Sequence, residues 1–177
     1  LVNPKGTAEG ELTCAYCDCD YCGVSGKEKL LSSTRVLTRL TESIPESSGE
    51  VGDNISINAI LAAAKVLKAH IQANNALPDY VIVNDEQYTL SQFLYLMSKA
   101  IGNINDGNLG NITVVGASSP GTPNGDKIST NINKTEYLDV AFRVSQYIIS
   151  NGQAPNYASS SAGKISYADL LDAFSRI

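Results

Sequence analysis

The most chemically distinctive residues are four cysteines within nine positions, Cys14-Ala-Tyr-Cys17-Asp-Cys19-Asp-Tyr-Cys22. Four thiolates complete the tetrahedral shell of Zn²⁺, for which soft sulfur ligands are suited. Nine residues wrap one ion tightly, however, because structural zinc sites join knuckles from separate parts of a fold. Disulfides within this loop or between chains are therefore the first reading, with zinc held by Cys14, Cys17, Cys19 and Cys22 as the alternative. The loops so closed are short, and their cross-links add little stability. A catalytic thiol would need a base, and the only histidine, His70, falls in the middle of a helical pattern.

Tyrosine is the second chemical signal: nine Tyr stand against three Phe and no Trp. A phenol offers an apolar face and a hydrogen-bonding tip, which suits saccharide and peptide recognition. Tyr80 and Tyr157 each follow a proline by two residues, where they either face a ligand or brace the turn. Three Asn-x-Ser/Thr sequons (Asn54, Asn111, Asn133) are about the number so polar a chain carries by chance. Asn103–Asn108 lacks the closing Glu of a calcium loop, and phosphate-loop, dinucleotide and metalloprotease motifs are missing.

The elements that must position these residues emerge from a self-comparison. Sliding the chain by 77 residues lays 58–100 on 135–177 without a gap. That gives about eight identical pairs in roughly 43 positions, where about three are expected by chance. Among them are Ala64/Ala141, Ile71/Ile148, Asn74/Asn151, Pro78/Pro155, Tyr80/Tyr157 and Leu94/Leu171. His70 is matched by Tyr147, which favours a packing or surface role for it. Ile60, Ala64, Leu67 and Ile71 fall at helical spacing, as do Tyr137, Ala141, Val144 and Ile148. Asn74-Asn75 and Asn151-Gly152 suit left-handed caps, and a proline soon afterwards forbids continuation.

Tyr80–Val83, the polar pair Asn84-Asp85 and Glu86–Tyr88 read as a tight hairpin. The counterpart 158–163 is Ala, Ser and Gly, so a looser hairpin is expected there. Thr89-x-x-Gln92 and Ser166-x-x-Asp169 are capping boxes opening amphipathic helices. Phe93, Leu94, Met97, Ala100 and Ile101 face inward in the first, and Leu170, Leu171, Phe174 and Ile177 in the second. A unit of roughly 43 residues cannot bury a core by itself, so packing between units is required. Upstream, a helix is expected over Gly26–Ile44, stopped by Pro45.

The predicted fold is α+β and α-rich, with two helix–hairpin–helix repeats and a Cys-rich N-terminal segment. It divides into 1–54 (Cys-rich segment plus helix), 55–101 (repeat 1), 102–134 (a Gly/Asn/Ser-rich connection) and 135–177 (repeat 2). The connection carries one strand, Asn111–Val115, and otherwise reads as a wrapping or ligand-facing loop, with a disordered linker as the alternative.

Net charge is -5 and mean hydropathy -0.07, with no basic cluster and no long apolar run. Nucleic acid and membrane insertion are not expected. The chain opens Leu1-Val2 without an initiating Met and reads as a processed or excised piece.

The segments Ile71-Gln-Ala-Asn74-Asn-Ala-Leu-Pro78-Asp-Tyr80-Val-Ile-Val and Tyr88-Thr-Leu-Ser-Gln-Phe93-Leu-Tyr-Leu96 resemble the pseudomurein-binding repeat of cell-wall proteins of methanogenic archaea and their viruses. The second copy shows the likeness in Tyr147-Ile148-x-x-Asn151-Gly-Gln-Ala-Pro155-Asn-Tyr157 and Ile165-Ser-Tyr-Ala-Asp-Leu170. It departs where Val81–Val83 give way to Ala158–Ser160, and the likeness spans about half the chain.

The resemblance implies an extracellular, non-catalytic module that docks its host protein onto pseudomurein, a peptide-crosslinked glycan. Some members of that family append a cysteine endopeptidase, for which this chain has neither the length nor the residues. Asn74, Pro78, Tyr80, Asn151, Pro155 and Tyr157 are the expected ligand-binding residues. The alternative is a subunit of a surface filament or adhesin, whose repeats pack neighbouring subunits and whose cysteines form disulfides or bind metal.

The cysteine reading is checked by counting free thiols under denaturing conditions without reductant. Fewer than about one per chain is expected. Four thiols released together with one equivalent of zinc would establish the metal site instead.

Overall fold

The computed structural model describes residues 2–4, 12–14, 49–128 and 130–176. It falls into two units, Leu1–Ile44 and Pro45–Ile177. In the first, β1 (Val2–Pro4) pairs antiparallel with β2 (Leu12–Cys14). Cys17, Cys19, Cys22 and the helix expected over Gly26–Ile44 lie outside the described residues.

The second unit is mixed α/β, with four helices and small antiparallel two-stranded sheets among its described residues. After β3 (Asn54–Ile55), the Ser56 hydroxyl accepts from the Ala59 amide and starts α1 (Ile57–Asn74). Ile57, Ile60, Ala64 and Leu67 form its buried stripe. Asn75 ends it at φ 50°, its N–H donating to the Ile71 carbonyl.

Strands β4 (Tyr80–Val83) and β5 (Glu86–Thr89) form a hairpin whose turn has Asn84 at φ 52° and Asp85 at φ 66°. Two positive φ values define the turn type that follows the natural strand twist. Alternation buries Val81 and Val83 and leaves Tyr80 and Ile82 outside. Thr89 and Gln92 form a reciprocal capping box at the head of α2 (Leu90–Asn105), which runs on past Ile101. Strand β6 (Ile112–Thr113) then returns to pair with β3.

The same succession follows in α3 (Lys134–Asn151), β7 (Tyr157–Ser160), β8 (Gly163–Ser166) and α4 (Tyr167–Ser175). Up to the start of the last helix its boundaries are shifted by 77 residues: 57 to 134, 74 to 151, 80 to 157, 86 to 163 and 90 to 167. The caps follow, Ser56 to Asn133, Asn75 to Gly152 and Thr89 to Ser166. One cap differs. Asp169, a methylene shorter than Gln92, meets the Ser166 hydroxyl at 2.6 Å, whereas the Gln92 side chain accepts from the Thr89 amide.

The second hairpin is not looser than the first. Each has four paired positions, Tyr80↔Thr89 to Val83↔Glu86 and Tyr157↔Ser166 to Ser160↔Gly163. Tertiary bonds replace the missing strand propensity. Arg143 Nη2 donates to the Ser159 carbonyl at 2.8 Å, and the Glu136 carboxylate accepts from both the amide and the hydroxyl of Ser161. Gly163 takes φ 121°, closed to ordinary L-residues, and Ser160 Oγ bonds across the turn.

Helix α2 packs against α3 and α4, and α1 against α4. The expected inward residues of α2 are buried, and from Ser91 to Ser98 every remaining residue is buried too, whereas the last turn returns to solvent with Ile104 41% exposed. The two halves also meet through the buried Ser91 hydroxyl, 3.0 Å from the Tyr167 hydroxyl.

Tyr88 ties the arm before α1 to the first hairpin. Its ring is fully buried, and its hydroxyl lies 2.8 Å from Glu86 Oε2 and 3.0 Å from Asp53 Oδ2. Gly49 donates to the Gln87 carbonyl at 2.7 Å, and a Cβ there would come within 2.0 Å of the Tyr88 ring. Burial, and then the two carboxylates, push the Tyr88 phenol far above its ordinary range; burial also raises Tyr95 and Tyr167.

A phenol so raised contributes stability that is whole below its unfolded pKa of 10.0 and is lost as pH climbs through the folded value. Unfolding free energy should therefore decline as pH rises above about 10, less steeply in Tyr88→Phe. Gly49→Ala should cost about 1–3 kcal/mol at neutral pH. Denaturant melts across this range check both, and a flat profile would refute the buried-phenol account.

Candidate functional site

The six expected ligand residues lie at the ends of α1 and α3 and in the turns that lead to β4 and β7. They form two similar groups rather than one site. Asn74 and Asn151 are exposed, but each side-chain amide donates to the carbonyl four residues earlier, His70 at 3.0 Å and Tyr147 at 2.8 Å. Both thus finish a helix end by satisfying an otherwise orphaned acceptor. Pro78 is half-buried and Pro155 buried, while Tyr80 and Tyr157 each keep 36% of their surface exposed. Of the six, the two tyrosines have the ring surface a ligand could cover.

Around Tyr157 the surface is concave. A cleft of about 400 Å³ between α3 and β7 is lined by Arg143, Tyr147, Pro155, Asn156, Tyr157 and Ser159, among others. Arg143 is held by Asp139 Oδ2 at 2.8 Å and by the Ser159 carbonyl, which fixes its guanidinium at the rim. Lys164 Nζ sits 4.7 Å from the centre of the Tyr157 ring, a cation–π contact that orients the phenol. Two phenols and a guanidinium around an apolar floor suit a neutral polar ligand with ring-like faces.

Tyr147 and Arg143 were not among the expected site residues. Their four-residue spacing on the face next to β7 was the available signal, since i and i+4 share one side of a helix. At the corresponding places in the first half stand Val66, His70 and Tyr80, with Val66 68% and Ile82 44% exposed. His70 is half-buried on α1. The first group is therefore more apolar than the second. Tyr88 and Tyr95 are interior residues.

The segment before α3 lies along the second turn. Ser118 donates to the Gly152 carbonyl and accepts from the Ala154 amide, both at 2.9 Å, making a parallel bridge with Gln153. Gln153 Nε2 bonds the Ser119 carbonyl, and the Asn156 side chain bonds both the amide and the hydroxyl of Thr122. Asp126 then clasps Lys164 through both backbone and side chain, each bond 2.8 Å long. Much of the backbone from Gly152 to Asn156 is thereby engaged internally, which leaves side-chain faces as what the second group presents to solvent.

Among the described residues no cluster of three or more His, Cys, Asp or Glu could hold a metal ion, and no helix is long and apolar enough to cross a membrane. Comparison with known proteins found no matching family model, curated protein or solved structure.

Asn156 is the hinge pin of the strap. Asn156→Ala should speed amide exchange at Thr122 by about tenfold while lowering Tm by only about 2–4 °C. Hydrogen exchange read residue by residue checks this, and an unchanged Thr122 rate would show that the strap does not depend on Asn156.

Proposed function

We propose that this chain is a non-catalytic, extracellular module that binds archaeal cell-wall glycopeptide and anchors its host protein at the surface. The two helix–hairpin–helix units are read as copies of one repeat of the pseudomurein-binding type. The observation that carries this reading is the equivalent placement of Tyr80 and Tyr157. Each follows a proline after a left-handed helix cap, each opens a hairpin, and each keeps 36% exposure. A repeat that served packing alone would have no need to leave the same aromatic half in water twice. The Tyr147–Tyr157 cleft adds a concave surface on which a sugar face or a short peptide can stack.

Two exposed tyrosines in one compact unit favour a polymeric ligand, because a second contact to the same polymer forms at high effective concentration. A wall of repeating glycan and peptide provides that periodic target. Charge is consistent with such a ligand: exported walls present neutral hydroxyls and amides, and the chain carries few charges of its own.

A second reading, a subunit of a surface filament or adhesin, draws on apolar side chains left outside α1 and α3: Val66 at 68%, Phe142 at 63% and Ile149 at 50% exposure. Sedimentation with purified walls separates the two. Tyr80→Ala and Tyr157→Ala should each reduce retention several-fold, and together abolish it, with Tm changed by less than about 3 °C. Retention unaffected by the double substitution, or concentration-dependent assemblies that ignore walls, would sink the wall-binding proposal.

A further inference from the structure

The sequons at Asn54, Asn111 and Asn133 are no more numerous than chance supplies, but the fold treats them differently. Two of them meet. The antiparallel register of β3 and β6 sets Asn54 opposite Thr113 and Ile55 opposite Ile112. Alternation turns Ile55 and Ile112 into the core, 3% and 4% exposed, and leaves Asn54, Asn111 and Thr113 exposed.

A transferase that modifies a sequon must reach the asparagine carboxamide and the hydroxyl two residues later at the same time. Both groups therefore have to project to one open side. Along the extended chain at β6, positions two apart share a side, so Asn111 and Thr113 point outward together. Among the described residues no hydrogen bond engages the Asn111 side chain, and the Thr113 hydroxyl donates to Asn54 Oδ1 at 2.9 Å. The other two sequons are spent on the fold. Asn54 accepts that bond, its Nδ2 lies 3.5 Å from the Gly52 carbonyl, and the Ser56 hydroxyl caps α1 by accepting from the Ala59 amide. Asn133 caps α3 through Oδ1, which accepts from the Glu136 amide at 3.0 Å. Thr135 is already helical, where positions two apart do not face each other.

We propose that Asn111 is an N-glycosylation site, the one of the three that the folded chain offers, and that it takes a hydroxyl-rich oligosaccharide. In the transfer, Asn111 Nδ2 attacks the anomeric carbon of a diphosphate-activated oligosaccharide held by the host's transferase. The nitrogen–carbon bond forms as the bond from that carbon to the diphosphate oxygen breaks. The diphosphate leaves with the electron pair, and Nδ2 gives up one proton to a base of the transferase. A bulky, hydrated group is tolerated here because the Asn111 side chain has no internal bond to lose and Ile112 beside it stays buried. The inference rests on the reading of the chain as exported, since sequons are modified on secreted chains, and does not require wall binding.

The test fuses an export leader to the 177-residue chain and produces it in an archaeal host that N-glycosylates its own surface proteins. Peptide mapping by mass spectrometry should then find the sugar mass on the Asn111 peptide, with the Asn54 and Asn133 peptides bare. Asn111→Gln and Thr113→Val should each remove the modification, and Thr113→Ser should retain it, with Tm within about 3 °C of the parent. An exported chain that is bare at Asn111, or modified to the same extent at Asn54 and Asn133, overturns the proposal. Sedimentation of the same material with purified walls keeps the two readings apart. A glycosylated chain that ignores walls upholds this site and refutes wall binding, whereas a bare chain retained by walls does the reverse.

Discussion

The enclosure of α2 is the constraint on which the rest depends. From Ser91 to Ser98 this helix presents no side to water, and it can be covered only by elements from both halves of the chain. An isolated helix–hairpin–helix unit would leave one of its faces bare, so neither half is a free-standing domain. The hydroxyl pair Ser91–Tyr167 fixes the relative position of the two hairpins at this seam, because a buried hydroxyl without a partner would cost on the order of 1–3 kcal/mol. Both tyrosine groups are therefore carried on one rigid frame, with their spacing set by the α2 contacts.

Around that frame the halves differ in how they finish their edges. The first relies on sequence-local devices: an Asn-Asp turn, β-branched strand residues, a reciprocal capping box and a phenol bound between two carboxylates. The second has weak local preferences and relies on long-range bonds, from Glu136, Arg143 and Asp126 to its hairpin and from Ser118 and Thr122 to its turn. This division explains the unlike surfaces. Where local sequence holds the hairpin, its outer face remains apolar; where tertiary bonds hold it, charged and amide groups gather and shape a cleft.

The same economy bears on recognition. Backbone groups of the second turn are engaged by the strap, and the side chains of Asn74 and Asn151 complete helix ends. On the wall-binding proposal, specific contact would come from the tyrosine rings and from Arg143, which Asp139 and the Ser159 carbonyl hold in place. The Tyr157 ring, with Lys164 Nζ 4.7 Å from its centre, would lose little conformational freedom on stacking against such a ligand.

The sequence by itself determined the elements and their recurrence. Apolar spacing located α1 and α3, Asn75 and Gly152 with the following prolines marked their ends, and Asn84-Asp85 specified a tight turn, because each is governed by local backbone preference. It could not reveal that α2 is enclosed on every side from Ser91 to Ser98, since Ser91, Gln92 and Ser98 read as polar and the partner of Ser91, Tyr167, lies 76 positions away. Nor could it show that a hairpin of Ala and Ser is as fully paired as one of Val and Ile, or that Arg143 and Tyr147 flank a cleft. Those features arise where residues far apart in the chain meet, and hydrogen bonds across 25 to 38 positions leave no periodic trace in the sequence. Only the tertiary structure decided which of these contacts form.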